Sequence, residues 1–246
     1  MKDDILTVMW KERKAMFRTQ GRRGQTIMTL LSPLFLAIFF PWQMGADWVE
    51  TSMSLVLAVV VTFILVGITV PDSFAGERER HTLPTLLASR LPDRAILWGK
   101  VGGSVFLGWV ATLVVLLISV VSLNLTHWQG RVLFFKPSLL VADMLVSFLV
   151  ALVTAGLGVL FSMRSETVQQ AQQATMSVLL LPAMFLQFGL LVVLENDSAK
   201  AFLRRTVGAL SFTQLIASIV TVLVLICGAL FALAMARFKR ARLILG

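Results

Sequence analysis

Residues 101–123 read VGGSVFLGWVATLVVLLISVVSL, a run without one charged side chain. A helix climbs about 1.5 Å per residue, so crossing a hydrocarbon layer about 30 Å thick takes about 20 apolar residues, and this run is long enough. A helix in water keeps a polar face; here no face is polar, which leaves lipid as the solvent. Five more runs of this kind lie near 27–45, 53–71, 139–161, 174–194 and 210–236. The expected fold is therefore an all-α polytopic membrane protein with six transmembrane helices.

Composition agrees. The chain is 57% apolar and 14% charged, where a soluble domain carries about a quarter charged residues. Its formal net charge of +9 does not point to nucleic acid, because Lys and Arg cluster between the apolar runs instead of covering a polar surface. The lone Cys227 sits within the last run, so neither a disulfide framework nor a thiolate metal site is expected, and no metal is. Residues 1–26 are polar and basic, so no cleaved leader is expected and the N-terminus should stay cytoplasmic.

Lys and Arg are retained on the cytoplasmic side during insertion, and an arrangement with both ends inside places 17 of the 22 there. Five remain outside: Arg131, Lys136, Lys200, Arg204 and Arg205. Tryptophan follows the boundaries, with Trp10 and Trp98 inside and Trp42, Trp48 and Trp128 outside; Trp109 alone falls within a span. Residues 1–246 read as one membrane domain, with a cytoplasmic segment 1–26, a cytoplasmic loop 72–100 and an outer loop 195–209. Pro33, Pro41 and Pro182 mark expected bends, and Gly99, Gly103, Gly156 and Gly158 allow close helix approach.

The N-terminal stretch 4–18, DILTVMWKERKAMFR, puts Thr7, Lys11, Lys14 and Arg18 on one narrow helical face, while Ile5, Leu6, Met9, Trp10, Met16 and Phe17 cover most of the rest. This predicts an amphipathic helix at the membrane surface, with Trp10 at headgroup level. Glu12 and Arg13 interrupt the apolar arc, so part of it is expected to face protein.

Between the second and third runs lies GERERHTLPTLLASRLPDRAILWGK, residues 76–100. Pro84 suits the first turn of a helix, and Leu83, Leu86 and Leu87 then share one face at i, i+3 and i+4. A short apolar ridge bordered by charge fits a groove on another protein. Pro92 and Asp93 separate this helix from one that continues through Ile96, Leu97 and Trp98 into the third span.

This loop resembles that of the type-2 ABC exporter permeases, E-x-E-x-G-T-L-x-x-L-L-x-x-P-x-x-x-x-I-L-x-G-K, at Glu77, Glu79, Thr82, Leu83, Leu86, Leu87, Ile96, Leu97, Gly99 and Lys100. His81 stands in place of the usual glycine, and Arg90-Leu91-Pro92 shifts the proline turn. A fainter resemblance runs through Glu166, Gln169, Gln172 and Pro182. The resemblance implies a coupling helix that docks on a separate ATPase, with Leu83, Leu86 and Leu87 as the ridge. Glu77 and Glu79 would form an acidic lead-in meeting basic groups on the ATPase or the N-terminal helix. It further implies two ATPase copies holding ATP and Mg, a second permease subunit making a homodimer, and a multi-pass location in a prokaryotic inner membrane.

No GxxxxGK[ST] phosphate loop occurs, so the chain is not expected to be an enzyme and energy must come from another polypeptide. An intramembrane enzyme would need paired carboxylates, HExxH, or a serine or cysteine near a histidine at matching depth; none is present. Asp143, the one formal charge well inside a span, is expected to form an interfacial salt bridge with Arg131 or Lys136, with cation binding as the alternative. Gln187, Gln214, Thr62 and Thr69 are the membrane-depth polar groups nominated for a substrate pathway. Their scarcity favours an apolar or amphipathic cargo. An ATPase-independent channel or secondary carrier is the competing function.

Overall fold

The computed structural model describes residues 7–11, 23–80, 92–195, 201 and 211–237. Residues 7–11 are helical, and the main elements are α1 (Arg23–Met44), α2 (Asp47–Glu50), α3 (Met53–Glu79), α4 (Asp93–Thr126), α5 (Pro137–Ser162), α6 (Val168–Glu195) and α7 (Phe212–Arg237). No strand occurs among the described residues. A helix thus lies at each apolar run, as expected where lipid offers no partner and each backbone group must be satisfied within its own segment. Among the described residues, four stretches are long and apolar enough to cross a membrane: Met53–Glu79, Ala95–Thr126, Pro137–Ser162 and Phe212–Ala236. The apolar part of α1, Leu31–Met44, is shorter.

Helix α3 outruns its apolar window and ends at Glu79, with Pro71 in its interior. A proline inside a helix removes a donor, and polar side chains gather where that happens. Thr69 Oγ1 donates to the Leu65 carbonyl (2.9 Å), Ser73 Oγ to Val70 (2.9 Å), and Gln172 Nε2 crosses from α6 to the Ile68 carbonyl (3.1 Å).

The same helix forms the middle of the bundle, packed against α4, α5 and α6. Toward its Met53 end, Leu57 and Val61 share a core with Trp48, Leu116, Leu123 and Phe135. Toward its Glu79 end, Val66 and Val70 pack with Ile96, Leu97, Val101, Ala155, Val159 and Phe231. Glycines set the spacing. A Cβ at Gly108 of α4 would stand 2.5 Å from Val66 Cγ2, and one at Gly158 of α5 would stand 2.9 Å from Val70 Cγ1. Close backbone approach of this kind is how helices gain dispersion energy in lipid, where no hydrophobic drive exists between them. Gly158 belongs to the pair the sequence marked; Gly108 stands alone in its helix face and carries no GxxxG signal.

Trp48, expected at the membrane boundary, is instead a core residue. Its indole donates to Ser119 Oγ (3.1 Å) and its ring stacks on Phe40. The link between α4 and α5 is clasped by Asn124, whose Nδ2 donates to the Leu133 carbonyl (2.8 Å) while its Oδ1 accepts from the Leu133 amide (2.8 Å). Helix α7 differs from its neighbours. Only 6% of its apolar stretch is buried, against 44–56% for the other three.

Candidate functional site at the Glu77 end of the bundle

At the end of α3, a charged cluster forms where the sequence placed its loop motif. Glu77 Oε1 accepts from Lys100 Nζ at 3.1 Å and from Lys11 Nζ at 3.4 Å. The three residues come from three segments: the end of α3, the start of α4, and the helical segment 7–11. Lys100 is almost completely enclosed, with 1% of its side chain exposed, and Glu77 nearly so at 12%. Burying a charge is costly unless it is paired and its remaining protons are bonded. Here Lys100 Nζ also donates to the Ser73 carbonyl (2.7 Å) and stands 5.5 Å from the centre of the Phe74 ring. Such a cation over a ring face gains further electrostatic attraction.

The rest of the motif's acidic and basic run is engaged too. Arg78 reaches across to the far end of α5, donating to the carbonyls of Ser165 (2.9 Å) and Met163 (3.4 Å). The carboxylate of Glu79 accepts the Val168 amide (3.2 Å) at the first turn of α6, where amides lack helical partners and the dipole favours negative charge. Arg80 pairs with Asp72 at 3.3 Å. One turn of α3 is thereby tied to α4, α5, α6 and the N-terminal segment. Val8 of that segment is buried and Met9 lies against Gly102 of α4, whereas Trp10 is exposed.

Of the sequence-nominated residues, Glu77, Glu79, Lys11 and Trp10 lie in or beside this cluster. Thr82, Leu83, Leu86 and Leu87 lie outside the described residues, as do Lys14 and Arg18. The pathway candidates are scattered. Thr62 is buried, its hydroxyl 2.8 Å from that of Thr112 on α4, and Thr69 bonds back to its own helix. Gln214 accepts the Ser211 amide (3.0 Å) at the start of α7, and Gln187 is a residue of α6 whose side chain is outside the description.

The resemblance implied that Glu77 would meet basic groups of the ATPase or the N-terminal helix, and Lys11 is such a group; sequence reasoning did not find Lys100 as its second partner, nor the reach of Arg78. The available signal was Lys100 closing the loop motif on a helix that continues into lipid. Asp143 requires a correction. Instead of meeting Arg131 or Lys136 at an interface, it is fully buried in α5, and Lys136 lies 4.0 Å from Glu50. Six residues past Pro137, its helical register turns it inward.

A bundle of apolar helices, four of them long enough to cross a membrane among the described residues, is that of a multi-pass membrane protein. The family model described as "ABC-2 type transporter" matches residues 3–191, and the chain belongs to that family. Permease domains of this family work with a separate ATPase subunit. The match takes in the N-terminal segment, the Glu77 cluster and α1 to most of α6. Comparison with curated proteins gives no match.

Proposed function

We propose that this chain is the transmembrane subunit of an ATP-driven exporter, driven through the crossover between α3 and α4. In this reading six helices cross the membrane, both ends lie in the cytoplasm, and residues 81–91 dock on the ATPase. Two copies of the chain with two ATPase chains make the assembly, ATP and Mg being held by the ATPase. The location is a prokaryotic inner membrane, and the cargo is apolar or amphipathic.

The observation that carries the reading is the joining of Glu77 to both Lys100 and Lys11. Those contacts clamp the two helices from which the crossover emerges and add the N-terminal segment. A push on the crossover is then delivered to three segments at once rather than absorbed in a slack loop. Buried pairs hold their geometry because breaking one leaves a desolvated charge. Thr62, Thr69, Gln187 and Gln214 keep their place as pathway candidates, since a path between rearranged helices needs polar groups at depth.

The test is co-purification of the chain with its ATPase, with ATPase activity measured for wild type and Leu86→Glu. A carboxylate in a docked apolar ridge would be buried unpaired, so at least a tenfold loss of association is expected. An ATPase held equally by wild type and variant contradicts docking through this ridge. A chain that purifies alone under conditions preserving membrane complexes moves the channel or carrier reading forward.

A further inference from the structure

Asp143 lies in the second turn of α5, completely buried, in the half of the bundle away from Glu77. Neither of its carboxylate oxygens has a hydrogen-bond partner among the described residues. Its polar neighbour is the hydroxyl of Ser54 in the first turn of α3, which is itself fully buried and has no bond of standard geometry. Two enclosed polar side chains thus face each other with their bonding unmet.

Among the described residues nothing charged answers them. The helices packed against α5 are α3, α4, α6 and α7. Across the bundle these carry no Asp, Glu, Lys, Arg or His over Met53–Val70 of α3, Val101–Thr126 of α4, Val168–Leu194 of α6 and Phe212–Ala236 of α7. Cys227, a thiol, is the one other titratable group on those stretches. The nearest cation in sequence at that end, Lys136, is engaged with Glu50. An ionised carboxylate with no countercharge pays a desolvation penalty of several kcal/mol in such a place.

A metal cation fits poorly. Hard cations take about six or more oxygen ligands, and membrane cation sites draw them from unwound backbone. Here α3 and α5 run as continuous helices past the site, so their carbonyls serve helical bonds, and Ser147 Oγ is spent on the Met144 carbonyl (3.2 Å). Two carboxylate oxygens and one hydroxyl are what remains. We propose that Asp143, with Ser54 beside it, is a proton-binding site: the carboxyl is held as the neutral acid while α3 and α5 are packed together. The proton comes from the aqueous phase at the Met53 end, reached past the exposed Thr51 and Ser52. Parting α3 from α5 there uncovers the acid and releases it. This goes beyond the coupling reading and does not depend on it.

Infrared spectroscopy of the purified chain at neutral pH tests the site. The expected result is a carbonyl band of an un-ionised carboxyl that shifts on 13C-aspartate labelling and is lost in Asp143→Asn. Exchanging sodium or potassium for choline should leave it unchanged. Ser54→Ala should displace the band without abolishing it, which supplies a second test if Asp143→Asn does not fold. Absence of any aspartate band at neutral pH overturns the proposal. So does a band that emerges only when sodium and potassium are withdrawn, since that marks a metal cation in competition with the proton.

Discussion

Among the described residues the bundle holds two enclosed carboxylates, and their surroundings are opposite. Glu77 sits at one end of α3 between two ammonium groups, one of them buried with it. Asp143 sits against the other end of the same helix with the Ser54 hydroxyl beside it and, among the described residues, no cation. Where a buried charge is matched, geometry is fixed and the acid acts as a joint between segments. Where no described residue matches it, the acid is left able to respond to a proton. Burial alone therefore does not assign a role; the partner list does.

The comparison breaks most readily at Glu77. Replacing it with Gln leaves Lys100 buried without its countercharge, which should cost about 3–5 kcal/mol in mixed-micelle unfolding. Lys100→Met should cost as much from the other side, and the double variant should recover part of the loss because no orphan charge remains. Next in size is Gly108→Ala. Its new methyl meets Val66 where α3 and α4 touch, for about 1–3 kcal/mol, and Val66→Ala should relieve it.

Asp143→Asn sharpens the contrast, because one neutral group replaces another. About 1 kcal/mol or less is expected in the same unfolding assay, and a loss equal to that of Glu77→Gln would place both acids in one class. Lys11→Ala should move stability least. Its ammonium is half exposed at 54%, so about 0.2–1 kcal/mol is expected, shrinking further with added salt.

The positions of the helices were legible because lipid admits few solutions: an uncharged run such as 101–123 has to be helical and has to be long. Glu77, Glu79 and Lys100 were legible as a motif on one continuous stretch. A basic partner for Glu77 on the N-terminal segment was legible through the resemblance; that it is Lys11, 66 residues away, and that Lys100 shares the same oxygen, only folding decides. Pro71 escaped notice because the apolar window stopped at it while the helix continued. Asp143 misled for a related reason: distance along the chain from Arg131 and Lys136 was small, yet helical register decided the face. Trp48 shows the same limit, since an aromatic near a boundary suits either headgroups or a core with a spare hydroxyl such as Ser119.

The sparse burial of α7 bears on the order of assembly. Helices α3, α4 and α5 meet at Gly108 and Gly158 through contacts that do not involve α7. Helix α7 lies against them, placing Leu230 at Gly156 and stacking Phe231 on Trp98. Its backbone needs no neighbour to be satisfied, so it can enter lipid first and find that groove afterwards. Insertion of α7 and its packing are thus separable steps, even though Phe231 ends in the core beside Val66 and Val70.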